Sequence, residues 1–204
     1  MAQKTFDKLL TGQAHNADGL IALIDESMPQ SDRETVIFMV AMIDAALVEL
    51  IAARLAYDNE GAYQFATRAE LTGRASLALY LGIIDKDECG FIEKMADIRN
   101  HFAHRVKPTF SDTDAGLPKK LTYLRDRAIK TIKDGIATAI KENPRASAHY
   151  QMVQTNILGE YTINEAGYRA AFKTCAAILL GKFQDRLQLV KRIECLPTGP
   201  SLQS

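Results

Sequence analysis

Ser31-Asp32-Arg33-Glu34, running into Thr35-Val36-Ile37-Phe38-Met39-Val40-Ala41-Met42-Ile43-Asp44-Ala45-Ala46-Leu47, is the stretch that decides the fold. Serine with glutamate three residues on is a capping box. The hydroxyl and the carboxylate satisfy backbone N–H groups that the first turn of a helix leaves without partners. Behind it Val36, Val40, Ile43, Leu47, Leu50 and Ile51 recur at spacings of three and four, the stripe of a helix running to about Tyr57.

The same signals extend both ways, and strand signals are almost absent. Residues 2–11 read as a short helix, and a second helix fits between Asn16 and Pro29. A loop with Asn59 and Gly61 precedes a helix over about 67–81, which Gly82 ends. Asp85-Lys86-Asp87-Glu88 is a second box, with Asp85 as cap; its helix aligns Phe91, Met95, Ile98 and Phe102 and ends near His104. Residues 105–117 form a loop. A long helix over about 118–142 turns Leu121, Leu124, Ala128, Ile132, Ile136 and Ala139 inward until Asn143-Pro144 stops it. Residues 145–161 stay open between irregular chain and a short helix. Thr162-Ile163-Asn164-Glu165 is a third box, opening a helix to about Glu194, and the Pro- and Gly-bearing tail from Leu196 is expected to be disordered. The expectation is an all-α bundle of five to seven helices.

Composition narrows the function classes. The chain has 204 residues, 47% hydrophobic and 25% charged, with no Trp, a balance unlike that of a disordered or fibrous protein. Zero formal net charge argues against wholesale binding of nucleic acid and leaves room only for a local basic patch. Lys4, Asp7 and Lys8 interrupt any signal-peptide apolar region. Asp44, Glu49 and Arg54 break the longest apolar run, Val36 to Leu55, short of the roughly 20 residues that span a bilayer. Cys89, Cys175 and Cys195 fit neither a disulfide framework nor a zinc pattern, and they read as structural. A cytoplasmic protein with no membrane, metal or cofactor is expected.

Two polar features stand out against this helical background. The first is Ile98-Arg99-Asn100-His101-Phe102-Ala103-His104, an arginine, an amide and two histidines at a helix end. At about 100° per residue, Arg99 lies at the core edge, whereas Glu93, Asp97, Asn100 and His104 share a polar face. Arg99 and His104 are then about 140° apart, so gripping one phosphate calls for unwinding after Asn100 or a second copy across a two-fold axis. His101, one turn from Asp97, reads as half of a surface pair. The second feature is Asp44, in the middle of an apolar face. A buried carboxylate needs a cationic partner, and an ion pair with Arg99 or Arg74 is expected. Separately, the segment 118–148 holds eight basic residues against three acidic ones. Lys119, Lys120, Arg125, Arg127, Lys130 and Lys133 are its candidate contacts for nucleic acid or an acidic partner.

Residues of about 34–112 resemble the mannitol operon repressor (MltR) family. The resemblance rests on Asp44 within the apolar helix, on Gly73-Arg74-Ala75-Ser76-Leu77-Ala78-Leu79-Tyr80-Leu81-Gly82-Ile83-Ile84-Asp85, and on the Ile98–His104 segment. It implies a helical core over 1–112, leaving 113–195 as a C-terminal helical extension packed on it and 196–204 as tail. Arg99-Asn100-x-x-x-His104 is also similar to the Arg-polar-x-x-x-His pattern of HEPN-type helical proteins, many of them metal-independent ribonucleases. That likeness implies that His104 is the acid or base at the ribose 2′-OH, that Arg99 stabilises charge on the phosphate and that Asn100 orients the scissile group. Glu93 and Asp97 depart from such a site, because they would repel a phosphate.

The leading expectation is a non-enzymatic, MltR-like regulatory protein, a transcriptional repressor acting through protein–protein contacts as a homodimer. The alternative is a HEPN-type endoribonuclease using Arg99, Asn100 and His104. The third is a repressor that contacts DNA directly through the basic 118–148 segment.

Overall fold

The structure, a computed structural model, describes residues 31–55, 59–113 and 116–194. The helices expected over 2–11 and 16–29, the tail from Leu196, His15 and the His149 side chain lie outside the described residues, as does Cys195. Among the described residues there is no strand, and seven α-helices follow in order. They are α1 (Asp32–Arg54), α2 (Asn59–Arg68), α3 (Leu71–Tyr80), α4 (Lys86–Ala103), α5 (Leu117–Glu142), α6 (Ser147–Gly159) and α7 (Glu165–Glu194), with a 3-10 turn Pro144–Ala146 before α6.

The helix boundaries have local causes. Ser31 caps α1 by accepting the Glu34 N–H at 3.2 Å. Asp85 and Glu88 form the complete reciprocal box at the head of α4, at 2.8 and 2.9 Å. Gly82, at φ 68°, closes α3; the Ile83 N–H returns to the Ala78 carbonyl at 2.9 Å, satisfying a terminal acceptor. Two expectations need correction. Residues 59–68 are helical rather than a loop around Gly61, so the single helix expected over 67–81 is two, joined at Ala69-Glu70. The third box is displaced: Asn164, not Thr162, caps α7 by accepting the Gly167 N–H at 2.8 Å, and the Thr162 hydroxyl donates to Asn164. Gly167 must be glycine there, because a Cβ would meet the Thr162 carbonyl oxygen at 2.1 Å.

α1 is the central helix, packed against α7, α2, α4 and α3. By length and composition it is apolar enough to cross a membrane, contrary to the sequence expectation, and most of its apolar surface is buried inside the bundle. Met39, Ile43, Leu47 and Ile51 of α1 meet Ile92, Met95 and Phe102 of α4 and Phe172 and Phe183 of α7 in one hydrophobic cluster. The region beyond residue 113 therefore supplies the same core as the region before it. Apolar burial of this kind stabilises by about 1.5–3 kcal/mol for each large side chain.

The end of α4 is held from several directions. The Phe102, Phe110 and Phe172 rings stack in series with centroids 5.1 and 5.9 Å apart, tying α4 through the following loop to α7. Arg33 donates to the Ala103 carbonyl at 3.0 Å. Asp32 accepts from Arg169 at 2.6 Å and from the Phe110 N–H at 3.4 Å. The last turn of α4 is thus a rigid platform.

Candidate functional site

A cavity of about 480 Å³ opens beside that platform, within the range of roughly 300–1,000 Å³ typical of ligand sites. One wall is the last two turns of α4, with Ala96, Arg99, Asn100 and His104. The facing wall is the start of α3, with Glu70, Leu71, Thr72 and Arg74; Asp44 of α1 closes one side.

Asp44 lies at the margin of the core, not at the centre of an apolar face, and its side chain is 34% exposed. Its neighbours Ile37 and Ala41 face outward too. Its ion-pair partner is Arg74, not Arg99. Arg74 also donates from Nε to the Ala66 carbonyl at 2.8 Å and from Nη2 to the Thr67 carbonyl at 3.2 Å. These carbonyls belong to the last turn of α2. One guanidinium, 11% exposed, therefore caps α2 and ties it to α3 and α1.

Arg99 is in the opposite condition. It is half-buried, and among the described residues its side chain has no hydrogen-bond or ion-pair partner. The side chains of Asn100, His104 and Glu70, all exposed, are equally unengaged among the described residues. Arg99 and His104 reach one cavity without unwinding: α4 is helical through Ala103, and His104 is its C-cap. On the helical wheel Ala96 falls between them, about 60° from Arg99 and about 80° from His104. The small Ala96, 3% exposed, is the floor, and Arg99 and His104 rise on its two flanks. The separation of about 140° is thus the width of the site rather than an obstacle to it.

Glu93 and Asp97, the carboxylates expected to repel a phosphate, are elsewhere; the acidic residues that line the cavity are Asp44, paired with Arg74, and Glu70. Asp97 pairs with Lys120 at 3.0 Å, and Glu93 meets the Cys89 thiol at 3.9 Å; neither lines the cavity. His101 does not pair with Asp97. It is buried, with 8% of its side chain exposed, and its Nε2 is 3.2 Å from Asp112 Oδ2. Burial opposes the charge on Asp112, but hydrogen bonds from His101 and Thr109 outweigh it and hold that carboxyl below its usual range.

Three of the six candidate basic contacts on α5 are engaged in ion pairs. Lys120 is taken by Asp97, Arg125 by Asp126 at 2.6 Å and Arg127 by Asp87, with the Arg127 guanidinium also over the Phe91 ring at 5.7 Å. Lys119, Lys130 and Lys133 are exposed.

Two ionic features were missed in the sequence. Glu88 is 1% exposed and takes both terminal nitrogens of Arg186, at 2.9 and 3.0 Å, together with Lys182 at 3.0 Å. Lys182 and Arg186 are spaced by one helical turn, which was legible; their distant partner was not. Glu70 was the second omission. It sits at the N-cap of α3, where glutamate is not a favoured residue type. Among the described residues no group of three or more His, Cys, Asp or Glu side chains is placed to hold a metal ion. Cys89 and Cys175 are buried; burial pushes the Cys175 thiol up to about 12, and it donates to the Leu124 carbonyl at 3.3 Å.

Comparison with known proteins finds no matching family model, no matching curated protein and no matching solved structure.

Proposed function

We propose that the cavity at the end of α4 is a phosphodiester site and that the protein is an endoribonuclease of the HEPN type, acting without a metal. The observation that supports this most is the condition of Arg99, a half-buried guanidinium without a partner among the described residues, in one cavity with Asn100 and His104. A cation left uncompensated at a protein surface favours an anion there, and a guanidinium suits phosphate oxygens through paired N–H donors.

In this reading Arg99 neutralises charge that builds on the phosphoryl oxygens, and Asn100 orients the scissile group. His104 exchanges a proton with the ribose or the leaving oxygen. The 2′-oxygen attacks phosphorus, the P–O5′ bond breaks, and the products are a 2′,3′-cyclic phosphate and a 5′-hydroxyl. Arg74 is given no catalytic role in this reading, because Nε, Nη1 and Nη2 each already donate, to Ala66, Asp44 and Thr67.

The regulatory reading, with protein contacts through a homodimer and an MltR-like core, takes the Arg99, Asn100 and His104 cluster as structural or as part of an interface. The pairing of Asp44 with Arg74 rather than Arg99 removes one structural role for Arg99. The DNA-binding reading is weakened by the ion pairs of Lys120, Arg125 and Arg127.

The test incubates the protein, beside Arg99→Ala and His104→Ala variants, with a structured RNA pool in EDTA. Cleavage by the parent that leaves 2′,3′-cyclic phosphate ends, with each variant down about 10²–10⁴-fold, is the expected result. No cleavage by the parent, or equal cleavage by the variants, overturns the proposal.

A further inference from the structure

We propose that Glu70 is the general base that takes the ribose 2′-OH proton, which assigns His104 as the acid that protonates the departing 5′-oxygen. This rests on the ribonuclease reading above.

Glu70 occupies the N-cap of α3 with extended backbone, φ −71° and ψ 165°, yet its side chain makes no capping hydrogen bond. The caps of three other helices behave differently: Ser31, Asp85 and Asn164 each accept a backbone N–H from the first turn. A capping serine or aspartate at position 70 would add about 1 kcal/mol of stability. Glutamate forgoes that gain, and Glu70 lines the cavity.

The surroundings leave the carboxylate available. Arg74, one turn further along α3, is the nearest cation in sequence that lines the cavity, and it is committed to Asp44 and two carbonyls. Glu70 has no hydrogen-bond or ion-pair partner among the described residues.

Placement supplies the remaining condition. In-line displacement needs a base beside the attacking 2′-oxygen and an acid beside the departing 5′-oxygen, on opposite sides of phosphorus. Glu70 lines the cavity from the start of α3 and His104 lines it from the end of α4, so the two groups come to it from different helices. The balance is complete without a co-reactant. As the 2′-O–P bond forms, the hydroxyl proton passes to the Glu70 carboxylate. As P–O5′ breaks, the 5′-oxygen takes a proton from the His104 imidazolium. Solvent then returns each group to its starting state.

The experiment uses the full chain and a short RNA in two forms, one ordinary and one with sulfur replacing the bridging 5′-oxygen at the scissile linkage. A thiolate leaves without needing a proton. Glu70→Gln and His104→Ala should each lose about 10²–10⁴-fold on ordinary RNA. On the sulfur-bridged RNA, His104→Ala should return to within about tenfold of the parent while Glu70→Gln stays at least about 100-fold down. A Glu70→Ser variant, which provides a capping hydroxyl and no base, should melt no lower than the parent and still lose cleavage. If Glu70→Gln or Glu70→Ser cleaves ordinary RNA like the parent, or if sulfur rescues Glu70→Gln rather than His104→Ala, the assignment of Glu70 is overturned and the ribonuclease reading stands. If the parent cleaves neither RNA, the reading beneath it fails as well.

Discussion

The two ends of α4 are built on opposite principles. At its head, Glu88 is 1% exposed and meets Arg186, Lys182 and the Asp85 N–H, so the helix start is joined to α7 by a closed ionic cluster. At its tail, Arg99, Asn100 and His104 have side chains with no partner among the described residues, on a turn held in place by Arg33 and by the Phe102–Phe110–Phe172 series. Charge at the head is spent on the fold. Charge at the tail is left unspent on a platform that other residues make rigid, which is the arrangement a binding or catalytic group needs.

The comparison is broken most directly at the head. Glu88→Ala leaves the Arg186 guanidinium and the Lys182 ammonium facing each other without an anion and removes half of the capping box. Breaking a buried pair costs about 3–5 kcal/mol, but the two cations left here are 31% and 47% exposed and water takes up part of their charge, so chemical denaturation should show a loss of about 3 kcal/mol. Acid tests the same cluster without mutation. Burial opposes the Glu88 charge, but the bonds from Arg186, the Asp85 N–H and Lys182 outweigh it, and the folded-state pKa lies below the ordinary value. A depressed carboxylate contributes stability that is present above its unfolded pKa, about 4.3, and is lost as pH falls through the lower folded value. Melting temperature should therefore drop steeply below about pH 4 in the parent and less steeply in Glu88→Gln. Equal slopes would mean that the cluster does not govern acid unfolding.

A smaller effect is expected at Arg74, which performs on the α2–α3–α1 side the work that Glu88 performs at α7. Arg74→Ala frees the Asp44 carboxylate and the Ala66 and Thr67 carbonyls at a partly exposed site. A loss of about 2–3 kcal/mol is expected, with hydrogen exchange rising first in α2. Uniform exchange across the chain would show that this arginine is not what docks α2.

These sites also measure how much was legible in the sequence. The starts of α1 and α4 could be read because a capping box is a local signal, complete within four residues, and Gly82 likewise marked the end of α3. The start of α7 was misplaced because Thr162 and Asn164 both qualify as caps, and only the close approach of Gly167 to the Thr162 backbone decides between them. The stripe of Val36, Val40, Ile43, Leu47, Leu50 and Ile51 was legible and is buried, but Asp44 was placed too deep because the outward residues beside it, Ile37 and Ala41, are apolar as well. Its pairing was narrowed to two arginines, and three-dimensional placement was needed to choose Arg74. The Arg99–His104 segment drew notice as a motif, but its wheel angle was read as divergence. The small Ala96 between the two side chains is what turns that angle into a floor with two walls. Glu70 carries no motif and became visible only as an N-cap residue that caps nothing.

The smallest effect on stability is expected where the effect on chemistry should be large. Arg99→Ala removes no hydrogen bond and no ion pair among the described residues, and its neighbours on the core side, Ile98 and Ile92, are fully buried. Surface substitutions away from caps, pairs and core usually stay within about 0.5 kcal/mol. The unfolding midpoint of Arg99→Ala should thus match the parent, with the denaturant slope unchanged, while cleavage falls. A destabilisation comparable to that of Glu88→Ala would instead place Arg99 among the structural ions and erase the distinction between the two ends of α4. A small gain in stability would sharpen it, because removing a cation that the fold does not neutralise relieves a cost borne for the site alone.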